Sequence, residues 1–102
     1  MMDKFPKFIL EDGCLILSKV SFHKELVTEK EKVRGGGWFR FDLEAKTCLL
    51  SGESHEFGRC RLEEVEKAVA EGKVYTNVYL THSIAGDFTF RFDRGSEIVD
   101  LN

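Results

Sequence analysis

Two stretches of the chain carry residue types that could do chemistry. In VRGGGWFRF, Val33 to Phe41, a basic residue precedes three glycines, and a tryptophan and a second arginine follow. A glycine loop of this kind could cradle a phosphate, because unobstructed backbone N–H groups and a helix N-terminus can be aimed at an anion. In SGESHEFGRC, Ser51 to Cys60, the neighbours Ser54 and His55 precede the thiol of Cys60. These are the residue types of nucleophilic catalysis.

Neither stretch has the spacing its chemistry needs. The glycines run into an alternating segment, with no phosphate-loop lysine and serine pair and no strand-to-helix context. They fit a turn, a bulge or a close backbone approach before a strand. Adjacency of Ser54 and His55 does not make a nucleophile and base, which requires hydrogen-bond geometry and usually a third orienting group. Gly52 to Gly58 does not match the G-x-S-x-G elbow either. A four-ligand metal set could be drawn from Cys48, His55 and Cys60 with His23 or His82, but C-x6-H-x4-C lacks the close ligand pair that opens a zinc site. His23 and His82 both follow strand-like runs and read as surface or satisfied turn histidines.

The expectation is therefore no catalytic residue, no metal ligand and no cofactor. A candidate interaction surface remains, formed by Arg34, Trp38 and Arg40 with His55 and Arg59. An outward tryptophan flanked by arginines can stack on a base, and the same residue types anchor protein interfaces.

The elements that position these residues follow from periodicity. Alternation in DFTFRFD puts Phe88, Phe90 and Phe92 on one face of a half-buried strand, and WFRFDL turns Phe39, Phe41 and Leu43 inward with Trp38, Arg40 and Asp42 outward. Three hairpins are expected. Asp12-Gly13 joins strands near 5–11 and 14–22 through a type I′ turn, Glu44 to Lys46 joins strands near 38–43 and 47–51, and a turn through Gly86 joins strands near 73–82 and 87–93. RLEEVEKAVAEGK carries Leu62, Val65, Ala68 and Val69 as a helical stripe, with a Glu63–Lys67 pair and a stop at Gly72. HKELVTEKEKVRGGG is read as a solvated connection, and GSEIVDLN as a frayed end or a short edge strand. The fold expected is α+β: a mainly antiparallel sheet of about six strands in the order ββββαββ, with one helix packed on one face.

Composition limits the rest. A chain of 102 residues with 42% hydrophobic residues accommodates a single domain, 1–102, with its own core. Net charge is -3, divided as +1 over residues 1–51 and -4 over 52–102, which argues against a nucleic-acid binder on average while leaving room for a local patch. Three cysteines at wide spacing suit reduced thiols and a cytoplasmic location. No apolar run reaches signal-peptide or membrane-spanning length, so no membrane partner is expected.

The stretches KVRGGGWF and GESHEFGR, together with the order of strands and one late helix, resemble a family of small bacterial proteins, a domain of unknown function. The resemblance covers most of the chain and implies a small bacterial domain; it carries over no catalytic or binding residue. The reading that follows is a cytoplasmic, non-enzymatic binding module whose partner is a protein or a second copy of the chain. The alternatives are a nucleic-acid-binding domain using the Arg/Trp surface, and a small enzyme with its site in Ser51 to Cys60.

Overall fold

Alternation of apolar residues sets the first hairpin. In the computed structural model, which describes residues 3–76 and 88–101, Phe8 and Leu10 of β1 (Phe5–Glu11) pair with Leu17 and Leu15 of β2 (Cys14–Val20). All four are buried. Asp12 and Gly13 take φ of 51° and 77°, the two positive values that a type I′ turn requires. The second hairpin joins β3 (Val33–Asp42) to β4 (Thr47–Ser51), with Phe39 opposite Leu50 and Phe41 opposite Cys48 on the core face. Leu43 lies beyond the end of β3 and is exposed, so the inward set stops at Phe41.

The helix α1 (Leu62–Ala70) buries Val65, Ala68 and Val69 against the sheet. It ends in a Schellman motif: the Gly72 N–H donates to the Val69 carbonyl and the Lys73 N–H to the Ala68 carbonyl, with Gly72 at φ 70°. The salt bridges here are Lys67–Glu71 at 3.9 Å and Lys73–Glu71 at 3.2 Å, in place of the expected Glu63–Lys67 pair. Three short strands complete the sheet: β5 (Val74–Thr76), β6 (Thr89–Asp93) and β7 (Ile98–Asp100). The C-terminal stretch is thus an edge strand.

The expected topology is corrected by the pairing. Among the described residues the sheet is mixed, with seven strands in the order β5-β2-β1-β3-β4-β6-β7. It is neither six-stranded nor mainly antiparallel, and the element order is not ββββαββ. β5 runs parallel to β2 at one edge, and β6 runs parallel to β4 near the other. The third hairpin therefore does not join these strands as described, and its proposed turn at Gly86 lies outside the described residues, as does His82. The physical reason is the helix. A hairpin forces antiparallel pairing, whereas the long connection from Ser51 to Val74 carries the chain across the core face and lets it re-enter beside a distant strand in parallel. Phe90 and Phe92 are buried and Phe88 packs against the same core, as alternation requires.

The connection between β2 and β3 is not simply solvated. It forms two 3-10 turns, His23–Leu26 and Lys30–Lys32, and lies as a strap over the outer face of β1. The strap is tied by polar groups at its middle and at its start. The Glu11 carboxylate accepts from the Thr28 hydroxyl, from the Thr28 N–H at 2.8 Å and from the Glu29 N–H at 3.2 Å. At its start His23 is held on the Gly37 carbonyl at 2.7 Å.

The glycines lie inside β3, not before it. A bulge between Leu10 and Glu11 leaves Arg34 without a partner on β1, and Gly35 there has φ 148°, which glycine alone tolerates. A Cβ on Gly37 would sit 2.3 Å from the Ser51 carbonyl oxygen and 2.9 Å from a Phe8 ring carbon. On Gly36 it would meet the Phe8 carbonyl oxygen at 2.6 Å. Gly37→Ala is expected to cost about 2 to 3 kcal/mol by overpacking, read from the urea midpoint. Gly13→Ala, with open space around it, should cost only about 1 to 2 kcal/mol for the left-handed backbone. Equal losses at the two positions would contradict the packing account.

Candidate functional site

Loop 52–60 fits into the groove that the glycines leave. Gly52, at φ 74°, turns the chain off the end of β4 beneath the Trp38 ring. Gly36 then holds the base of the loop with both backbone groups. Its N–H donates to the Gly58 carbonyl at 3.0 Å, and its carbonyl accepts from the Ser54 N–H at 2.9 Å. Ser54 and Gly58 bridge each other, and the Ser54 hydroxyl accepts from the Phe57 N–H at 3.1 Å. The residues that resembled a phosphate cradle are thus occupied by the chain's own backbone.

This packing separates the catalytic candidates. Ser54 is buried with its hydroxyl committed to the loop, while His55 is exposed. Cys60 is buried, its backbone N only 2.7 Å from where a Gly35 Cβ would be. Burial pushes the Cys60 thiol up to about 12, with the nearby Glu64 carboxylate adding to the shift and a hydrogen bond with the Leu10 backbone opposing it. Cys48, in the core of β4, is likewise pushed up to about 12 by burial. A thiol with that pKa is almost wholly protonated at neutral pH and is a poor nucleophile and ligand. Among the described residues no group of three or more His, Cys, Asp or Glu side chains is placed to hold a metal ion.

The interaction candidates also divide. Trp38 and Arg40 share the outer face of β3, where Trp38 is opposite Lys7 of β1 and Ser51 of β4. Arg34, displaced by the bulge, lines a depression on the helix side with Glu64, Lys67 and Glu71. Arg59 donates to the Arg94 carbonyl at 3.1 Å and borders a second depression beside Arg61, Glu63 and Glu64. Arg40 borders a third depression, on the outer face, with Leu49, Arg91 and Ile98. The five residues do not converge; only the Trp38 and Arg40 pair stays together.

Other residues join that pair. Phe5, Phe22 and Trp38 are 50%, 43% and 38% exposed. Lys7 Nζ lies 6.0 Å from the Phe5 ring centroid and 5.8 Å from that of Phe22, and Lys24 Nζ lies 5.3 Å from Phe22. Lys7 also donates to the Ser21 carbonyl at 2.5 Å. Trp38 meets the His23 ring edge-on at 5.2 Å. Phe5 and Phe22, at the outer ends of the strands expected near 5–11 and 14–22, are not among the sequence candidates. The available cue was that Phe5 and Lys7 share the parity of the outward face on β1, opposite to Phe8 and Leu10.

His23 ties this patch to the glycine groove. Burial lowers its pKa below the ordinary 6.5; the Gly37 carbonyl and Glu56 oppose that shift, and the Lys7 charge adds to it. The folded state therefore binds the proton less tightly than the unfolded chain. This contribution to stability is complete above about pH 6.5 and is lost as pH falls through the lower folded value. Urea midpoints should drop on acidification from pH 7 towards pH 5.5, and His23→Gln, which keeps an N–H donor for Gly37, should flatten that slope. An unchanged slope would contradict the assignment. For the thiols, iodoacetamide at pH 8 followed by peptide mass spectrometry should label the half-buried Cys14 first, and Cys48 and Cys60 only after unfolding. Native labelling of Cys60 as fast as Cys14 would contradict its burial.

No helix among the described residues is long and apolar enough to cross a membrane. Compared with protein-family models, with curated proteins and with solved structures, the chain matches none of them.

Proposed function

We propose that the protein is a non-enzymatic binding module of the cytoplasm that engages its partner through the outer sheet face around Trp38. The observation that supports this reading is the gathering of three exposed rings, Phe5, Phe22 and Trp38, around Lys7 on one face. Scattered exposed hydrophobic side chains need no explanation, but a contiguous group with interleaved cations is characteristic of interaction surfaces. The edge route is weaker. The edge strand β7 is three residues long, a short template for strand addition. The enzyme alternative loses support, since Ser54 and Cys60 are buried while His55 is exposed.

A photo-crosslinking amino acid at position 22, compared with one at Tyr75 on the β5 edge and one at Glu66 on the helix, tests the face directly in native cells. The expected outcome is an adduct from position 22 and none from the other two. Adducts from Tyr75 or Glu66 without one from position 22 would reject the patch around Phe22 and Trp38.

A further inference from the structure

Resting on the reading of the outer face as a binding surface, we infer that its partner is a single-stranded nucleic acid, with Phe5, Phe22 and Trp38 as stacking platforms and Lys7, Lys24 and Arg40 as phosphate contacts. The charge pattern carries this choice. The chain is acidic overall, but Glu63, Glu64, Glu66 and Glu71 all lie on or just after α1, across the core from the patch. The net charge of -3 therefore says little about the outer face. Within the patch each of the three rings has a cation nearby. Lys7 sits between Phe5 and Phe22, Lys24 over Phe22, and Arg40 follows Trp38 on the same face of β3.

Carboxylates also border the patch: Asp42, which accepts from the Ala45 N–H at 3.0 Å, lines the depression beside Arg40. Glu25 is held on the Phe22 N–H at 2.6 Å, and Glu56 acts on His23 from the loop side. An acidic peptide would use the cations and leave the rings idle. A single strand uses both, because every base has a π-face and every linkage a negative charge. The rings also stand on the adjacent strands β1 and β3 and on the strap, so a strand laid across the sheet would meet them in succession.

The test is fluorescence anisotropy of the full chain with fluorescein-labelled oligo-dT and oligo-rU of about 15 nucleotides. Binding is expected to weaken with salt with a log–log slope of about -2, three contacts at roughly 0.7 each. Phe5→Ala with Phe22→Ala, both exposed and so compatible with folding, should weaken it by roughly tenfold or more, while Glu66→Ala should not. A duplex of equal length should bind more weakly than the single strand. The inference is overturned if the oligonucleotides do not bind the folded chain, if the double variant binds as well as the wild type, or if polyglutamate or anionic phosphatidylserine vesicles bind with the same dependence on Phe5 and Phe22. The crosslinked adduct separates this failure from that of the underlying reading. An adduct from position 22 that survives nuclease and is destroyed by protease retains the binding face and rejects the nucleic acid, whereas one destroyed by nuclease supports both.

Discussion

Absence of a Cβ over three successive residues of β3 is the constraint on which the rest of the molecule depends. Gly35, Gly36 and Gly37 leave a groove one backbone deep, and loop 52–60 occupies it through the paired hydrogen bonds of Gly36. Any side chain there would collide with backbone atoms, which have little room to move. The loop's position then fixes the path into α1, because Cys60 is seated against Gly35 immediately before the helix begins. The helix covers the aromatic core from that point. Its length also carries the chain far enough to place β5 in parallel beside β2. Three glycines are costly in backbone entropy, and the cost is offset by the close packing they permit.

The same groove divides the two faces of the sheet chemically. On the core side Phe8, Phe39, Leu50, Phe90 and Phe92 are sealed by α1. On the outer side the strap lies over β1 and is fixed by buried polar groups, Glu11 at its middle and His23 at its start. Burial opposes the charge on Glu11, but the Thr28 hydroxyl, the N–H groups of Thr28 and Glu29, and Lys32 outweigh it and leave its pKa below the ordinary value. What the strap does not cover is the aromatic and basic group around Lys7. The exposed rings are therefore the remainder of a face whose other part is closed by the chain itself.

Much of the local structure was legible in the sequence, because period-2 and period-3.6 patterns depend on neighbours a few residues apart. Phe39, Phe41, Phe90 and Phe92 declared the inward face, Asp12-Gly13 declared its turn, and Leu62 to Val69 with Gly72 declared the helix and its end. Strand order was not legible. The runs on either side of Gly86 resembled a hairpin, yet β5 and β6 flank opposite sides of the sheet, since parallel pairing leaves no mark in local periodicity. Arg34 was misgrouped with Trp38 for a related reason. A single bulged residue reverses which face a side chain serves, and alternation counted along the sequence cannot register it. The strap's docking was hidden because its anchors, Glu11 and His23, are polar residues that alone signal solvent.

Amide hydrogen exchange at Gly36, Ser54 and Gly58 tests most directly whether the glycines exist to seat the loop. If they do, these three amides exchange as slowly as those of the central strand β1, because their hydrogen bonds open only when the sheet opens. Exchange as fast as that of the exposed loop residues Glu53 and His55 would mean that the groove is not filled, and the account built on it would fail.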